Sequence, residues 1–307
     1  MVLLAAVIVG GYLFGAGVLG GGLGGSAPHE EKTSPAAAPV PATELTRPLE
    51  GKGFACYATQ SSPTTVRSCY RTESDGTRLT VRIATGSDGD AALVEVDAAP
   101  PAGIRGQLRP PGDAVSPVRE VVEVVGRPLL GQEYAGLPTF GNGVDQATRL
   151  SWGVVTFSAH PEAATASFAG SGAPTMPRGA DFRKDPAAMA ASLGKAGYEC
   201  DAGSCTGRSS AYDVRARFSA TEVAVSALRY DGKAKVTDAE LRQRYGDVLR
   251  QVADGQGYTA ARRWIDGHLT PEHGFVEGDV DGLHLAVVRT GEGDGQLTVT
   301  PVLTGSR

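Results

Sequence analysis

The sequence is short of the residues that fill dense cores and of the motifs that announce catalysis. Aromatic residues make up 6% of its 307 positions, with 2 Trp and 3 Met. Cores built from small residues are thin, which argues against one large domain and for several modest ones. At roughly 150 residues per domain, this length suggests two. Concentrated basic stretches are missing as well. The formal charge of −5 is spread over interspersed acids and bases, which excludes the basic face of a nucleic-acid binder. Also missing are an H-E-x-x-H zinc helix, a G-x-S-x-G elbow, and a phosphate loop ending in Lys-Ser or Lys-Thr. The nearest approaches, Gly170-Ser171-Gly172 and residues 291–295 (GEGDG), read as linker and hairpin turn. His160 and Glu162 offer a base and a carboxylate, but no motif places a nucleophile beside them.

One long apolar run is present. Residues 2–19, VLLAAVIVGGYLFGAGVL, carry no charge. As a helix at 1.5 Å per residue the run spans about 27 Å, enough for the hydrocarbon core of a bilayer. Residues 1–25 are therefore expected to be a transmembrane signal-anchor. The alternative is a secretory signal peptide, whose apolar region is usually about 7–15 residues and precedes small residues such as Ser26-Ala27. Both readings put the rest of the chain outside the cytoplasm, as a single-pass cell-membrane protein or one secreted after cleavage. Gly11 and Gly15, like Gly17 and Gly21, have the spacing that lets membrane helices approach, so a homodimer through the anchor is a further expectation. Residues 26–42 are rich in Pro and Ala and read as an extended spacer of up to roughly 50 Å.

A repeat follows. Leu45, Leu49, Gly53, Phe54 and Cys56 stand at one constant offset from Met189, Leu193, Gly197, Tyr198 and Cys200. A second cysteine comes next in each case, Cys69 and Cys205. After it come similar strand patterns, Leu79-Thr-Val81-Arg82-Ile83 and Tyr212-Asp-Val214-Arg215-Ala216. Order and spacing together indicate an internal duplication. Four cysteines permit three pairings. The repeat selects Cys56–Cys69 and Cys200–Cys205, because only that choice makes each copy self-contained. Neither pair has the C-x-x-C spacing of zinc or redox sites, so both are expected to be structural disulfides in an oxidising compartment.

The expected fold class is α+β: two related domains, each a small, mostly antiparallel sheet with flanking helices, after the N-terminal apolar helix. The first domain is expected over 43–159 and the second over 185–307, joined by a Gly/Ala/Pro-rich linker at 160–184. In the second, Asp185 and Pro186 start a helix and Gly197 ends it. Strands follow near 198–201, 204–208, 212–218 and 222–230. Thr237 and Glu240 form a capping box ahead of an amphipathic helix carrying Leu241, Tyr245, Val248, Leu249 and Val252. A shorter helix with Ala261, Trp264 and Ile265 precedes three more strands near 273–277, 282–290 and 295–303. In the first domain Pro48 speaks against a continuous opening helix, and Ser116-Pro117 starts the next one.

The densest set of ligand-capable groups is Asp266, His268, Glu272, His273, Glu277, Asp279, Asp281 and His284. Two histidines and a carboxylate suit zinc, but the glycine-punctuated segment reads more simply as polar loops, with His284 on the solvent side of a strand. Trp152, Trp264 and Tyr258 are expected in cores rather than on a stacking surface. No metal or other cofactor is called for, and the sequence does not identify catalytic or ligand-binding residues. These readings combine into a membrane-anchored extracytoplasmic protein, a non-catalytic binding or envelope-organising module whose partner is another cell-envelope protein or polymer and not nucleic acid. The alternative is an exported hydrolase with its active site between the domains.

Overall fold

The computed structural model describes residues 38–302, apart from 62–63, 100–112, 142–143, 161–162, 178–180, 183, 202, 210–211, 231–232, 234, 254, 270–273 and 290–293. The first domain runs α1 (Ala42–Gly51), β1 (Ala55–Ser61), β2 (Thr64–Thr72), β3 (Arg78–Thr85), β4 (Ala91–Ala99), α2 (Val115–Leu130), a 3-10 helix (Gly131–Gly136), β5 (Val144–Arg149), β6 (Gly153–His160) and β7 (Ala163–Gly170). The second runs α3 (Pro186–Lys195), β8 (Glu199–Cys200), β9 (Ser204–Arg208), β10 (Tyr212–Phe218), β11 (Val223–Arg229), α4 (Asp238–Val252), α5 (Gly255–His268), β12 (Phe275–Val280), β13 (Leu283–Arg289) and β14 (Gly295–Pro301). Each domain is a seven-stranded antiparallel sheet. The orders are β1-β2-β3-β4-β7-β6-β5 and, read the same way, β8-β9-β10-β11-β14-β13-β12. The two are one topology, so the duplication extends over whole domains.

Local chemistry accounts for the helix starts. Asp185 accepts from Ala188 N at 2.8 Å with Pro186 in the first helical position, and Thr237 and Glu240 cap each other's backbone at the start of α4. Asp113 does the same for α2, accepting from Val115 N at 3.0 Å and Ser116 N at 3.1 Å. Gly53 and Gly197 end α1 and α3 with φ of 84° and 89°, a conformation that glycine adopts without a Cβ clash. α1 passes through Pro48 without breaking. Leu45 and Leu49 on either side of it are fully buried, and their burial outweighs the one backbone hydrogen bond that proline cannot make.

Helices cover one face of each sheet. In the first domain Val81, Ile83, Val94, Val96 and Phe168 pack against Val118, Val121, Val125 and Leu129 of α2. In the second, Val214, Ala216, Val225, Leu297 and Val299 pack against Leu241, Tyr245, Leu249 and Ile265. Gly126 and Gly246 are matching notches. A Cβ at Gly126 would lie 2.8 Å from the Tyr134 ring, and one at Gly246 would lie 3.5 Å from the Tyr258 hydroxyl and nearer still to Arg262. The 3-10 helix of the first domain thus occupies the place of α5. The cysteines pair directly across strands, Cys56 with Cys69 and Cys200 with Cys205, and both pairs are disulfides.

Besides the helix through Pro48, three expectations about the fold need correction. Residues 163–170, assigned above to a linker, are β7, hydrogen-bonded between β4 and β6. Its inward side chains are Ala164, Ala166 and Phe168, so the apolar alternation is muted and AATASFAG reads as low-complexity sequence. The strand match is shifted by two residues. Cys69 pairs with Val81 and Cys205 with Ala216, which makes Arg217, not Arg215, the counterpart of Arg82. The membrane anchor is the largest correction. Among the described residues no helix is long and apolar enough to cross a membrane, and residues 1–25 with their Gly-x-x-x-Gly spacings lie outside the described residues. The structure therefore does not support a membrane-anchored protein, a single-pass location, or a dimer or membrane partner reached through such a helix.

Candidate functional site

The densest meeting of titratable groups among the described residues is where the second domain packs on the first. β12 lies against β1 and β2 on the face of the first sheet opposite its helices. Glu277 and Asp279 point from β12 to the same side as His284 of β13, which is Asp279's cross-strand neighbour. They meet Tyr70 of β2 and Arg78 of β3. Tyr70 Oη donates to Asp279 Oδ1 at 2.7 Å, and His284 Nδ1 reaches the same oxygen at 2.9 Å. His284 Nε2 faces Glu277 Oε2 at 3.4 Å, and Arg78 Nη1 lies 3.9 Å from that oxygen. The Arg78 guanidinium also covers the Phe275 ring, 5.0 Å from its centroid.

Burial decides what these groups can do. The side chains of Glu277 and Asp279 are only 5% and 4% exposed. Burial alone disfavours the charged imidazole, but hydrogen bonds and charge from Asp279 and Glu277 outweigh it and His284 is pushed up to about 9. At neutral pH it is an imidazolium donating to both carboxylates. Burial, with the charge of Asp279 beside it, pushes the Tyr70 phenol well above its usual value, so it stays a donor. The other side of β12 is occupied as well. A Cβ at Gly278 would come within 2.6 Å of the Tyr57 hydroxyl and 2.9 Å of Trp264 Nε1, so β12 is held between Tyr70 and Tyr57. Glu277 Oε1, Arg78 Nε and Trp264 Nε1 are buried without hydrogen-bond partners.

Of the eight groups singled out in the sequence, the structure thus unites Glu277, Asp279 and His284. Asp266 joins Arg242 and Arg262. His268 stacks on Trp264, 4.4 Å between centroids. Asp281 sits in the β12–β13 turn at φ 49°. Glu272 and His273 lie outside the described residues. Among the described residues no group of three or more His, Cys, Asp or Glu is arranged to hold a metal ion; the two nitrogens of His284 are spent on separate carboxylates. His284, expected toward solvent, is covered by the first domain. Sequence reasoning missed Tyr70 and Arg78 because their partners lie some two hundred positions away. Among the described residues His160 meets only the exposed Asp145, at 3.7 Å, and Glu162 lies outside them.

Comparison with protein-family models finds no match, and comparison with curated proteins finds no relative. The functional reading therefore rests on geometry.

A cavity of about 230 Å³ opens elsewhere in the second domain, between Asp181, Phe182, Val252, Asp281, Leu283 and Pro301. None of the joint's charged groups lines it. The carboxylates and imidazole that could serve acid–base chemistry are sealed between two sheets, whereas a catalytic base needs a substrate within hydrogen-bond reach. What the cluster does is join the domains.

Proposed function

We propose that the chain is a non-catalytic recognition module that uses exposed arginines on the helix-free faces of its two sheets, beside the joint in the first, to bind a partner bearing spaced anionic groups. The observation that carries this reading is an arginine kept at one register position in both copies. Arg82 on β3 stands opposite Ser68, and Arg217 on β10 stands opposite Ser204. Both side chains are exposed, and neither makes an ion pair within the described residues. Both project from the sheet face that no helix covers. Across from Arg82 on its other side stands Glu95, and Arg82 also acts on Asp97, whereas Arg217 has Ala224 there; an exposed guanidinium in either place suits added carboxylate or phosphate oxygens. Two such points on one joined body turn the second contact into an intramolecular one and raise the effective concentration. The acidic net charge argues against nucleic acid as that partner.

The test uses polyglutamate and polyphosphate as probes in titration calorimetry. Arg82→Gln and Arg217→Gln should each weaken binding by about tenfold or more, and the double variant should lose the gain that comes from linkage. Absence of binding, or binding indifferent to both arginines, overturns the reading. So does turnover of an ester or amide that Glu277→Gln abolishes.

A further inference from the structure

The two sheets have four edges, β1 and β5 in the first and β8 and β12 in the second. An exposed edge offers unpaired N–H and C=O groups to another strand, and proteins usually blunt it. β8 is only two residues long and ends in a disulfide. β1 and β12 cover each other at the joint. β5 has none of these protections. It is six residues long, pairs with β6 without a bulge, and contains no proline or lysine. Among the described elements nothing else pairs with it.

Its sequence, VDQATR, is self-complementary when read against itself in the opposite direction. With a two-fold axis at Ala147, Asp145 falls opposite Arg149 of the partner subunit, and Arg149 opposite the partner subunit's Asp145. Both side chains are exposed and project from the same face as Ala147. Arg149 makes no ion pair among the described residues, and Asp145 has only His160 at 3.7 Å. Cross-strand pairs of opposite charge stabilise antiparallel pairing, and like charges oppose it. Ala147 meets its own copy at the axis, where a small side chain is needed. On the other face Gln146 falls opposite the partner subunit's Thr148.

We infer that β5 is a dimerisation strand: two copies of this chain pair their β5 edges antiparallel about Ala147 and join two first-domain sheets into one continuous sheet. The contact is isologous, so it closes at two subunits. Two six-residue strands bury less than the ~1,200 Å² of stable complexes, so association belongs at micromolar concentrations. Salt should weaken it, because the charge pairs are exposed. Pairing through β5 does not depend on the anionic partner proposed above.

Sedimentation of the purified chain over a concentration series, to about 200 µM, tests it. The expected result is a monomer–dimer equilibrium. Arg149→Asp sets aspartate against aspartate across the paired strands and should leave monomers. Asp145→Arg sets arginine against arginine there and should do the same. Mixing these two variants restores both opposite-charge pairs, so a heterodimer should form only in the mixture. Circular dichroism on each variant checks that the exposed substitutions leave the fold intact. A wild-type chain that stays monomeric throughout overturns the inference. A dimer that both variants retain, or a mixture that stays monomeric, overturns it equally.

Discussion

The two domains share a strand order, a cross-strand disulfide and a helix notch, yet they differ where they touch. The positions of Glu277, Asp279 and His284 in the second sheet are held by Ala147, Arg149 and Val154 in the first, as the pairings of β5 with β6 and β12 with β13 show. On the receiving side, Tyr70 has Thr206 as its counterpart and Arg78 has Asp213. Core positions kept their character while edge positions were specialised. A duplicated fold tolerates this because packing constrains the helix-facing side of each strand, and the outer side is free to acquire partners.

The comparison is broken most severely in the cores. Leu49 and Leu193 hold equivalent places in α1 and α3, and both are fully buried. Leu49→Ala and Leu193→Ala should each cost about 3–4 kcal/mol in denaturant unfolding. Similar costs would show that the two cores are equivalent. A difference above about 2 kcal/mol would show that one domain depends on the other.

The joint is the next test, and here the copies should diverge. Gly278→Ala inserts a methyl group against Tyr57 and Trp264 and should destabilise by about 2–3 kcal/mol. Its counterpart in the first domain, Thr148 on the β5 edge, should accept alanine at a cost within about 0.5 kcal/mol at concentrations where the chain is monomeric. Equal effects would mean that β12 is not clamped.

Titration gives the most specific contrast, and the smallest at any single step of pH. His284 is raised from about 6.5 when unfolded to about 9 when folded. Its contribution is therefore fully present below about pH 6.5 and is lost as pH rises through 9. This loss should be on the order of 3 kcal/mol over the whole range and should vanish in His284→Asn. Lys52 and then Arg71 hold the Glu120 carboxyl below its usual range. That contribution runs the other way, present above the ordinary carboxylate range and lost in acid. A pH–stability curve in which His284→Asn leaves the alkaline limb unchanged would remove the histidine from the joint.

Much of the fold could be read from the chain. Capping residues, the helical spacing of Leu241, Tyr245 and Leu249, and the Leu-x-x-x-Gly-aromatic-x-Cys repeat act within a few residues of one another. β7 escaped because Ala164 and Ala166, small enough to let α2 approach, erase the contrast on which strand recognition depends. The joint escaped for a different reason. Glu277, Asp279 and His284 looked like a solvated polar segment, and only the distant Tyr70 makes them buried. Alternation along a strand tells which side chains share a face, but not whether another domain covers it.

The joint also has an arithmetic consequence. It brings together unlike surfaces, the last edge of one copy and the first two strands of the preceding one. A contact between unlike surfaces does not close on itself at two units, and leaves one of each surface at the outer ends of the pair. What stops a second joint there is written in side chains: Arg149 and Val154 occupy the leading end where an acid and a histidine would be needed, and Thr206 fills the trailing end in place of a tyrosine. The two copies share one backbone plan, and a handful of side chains confine the joint to a single place in it.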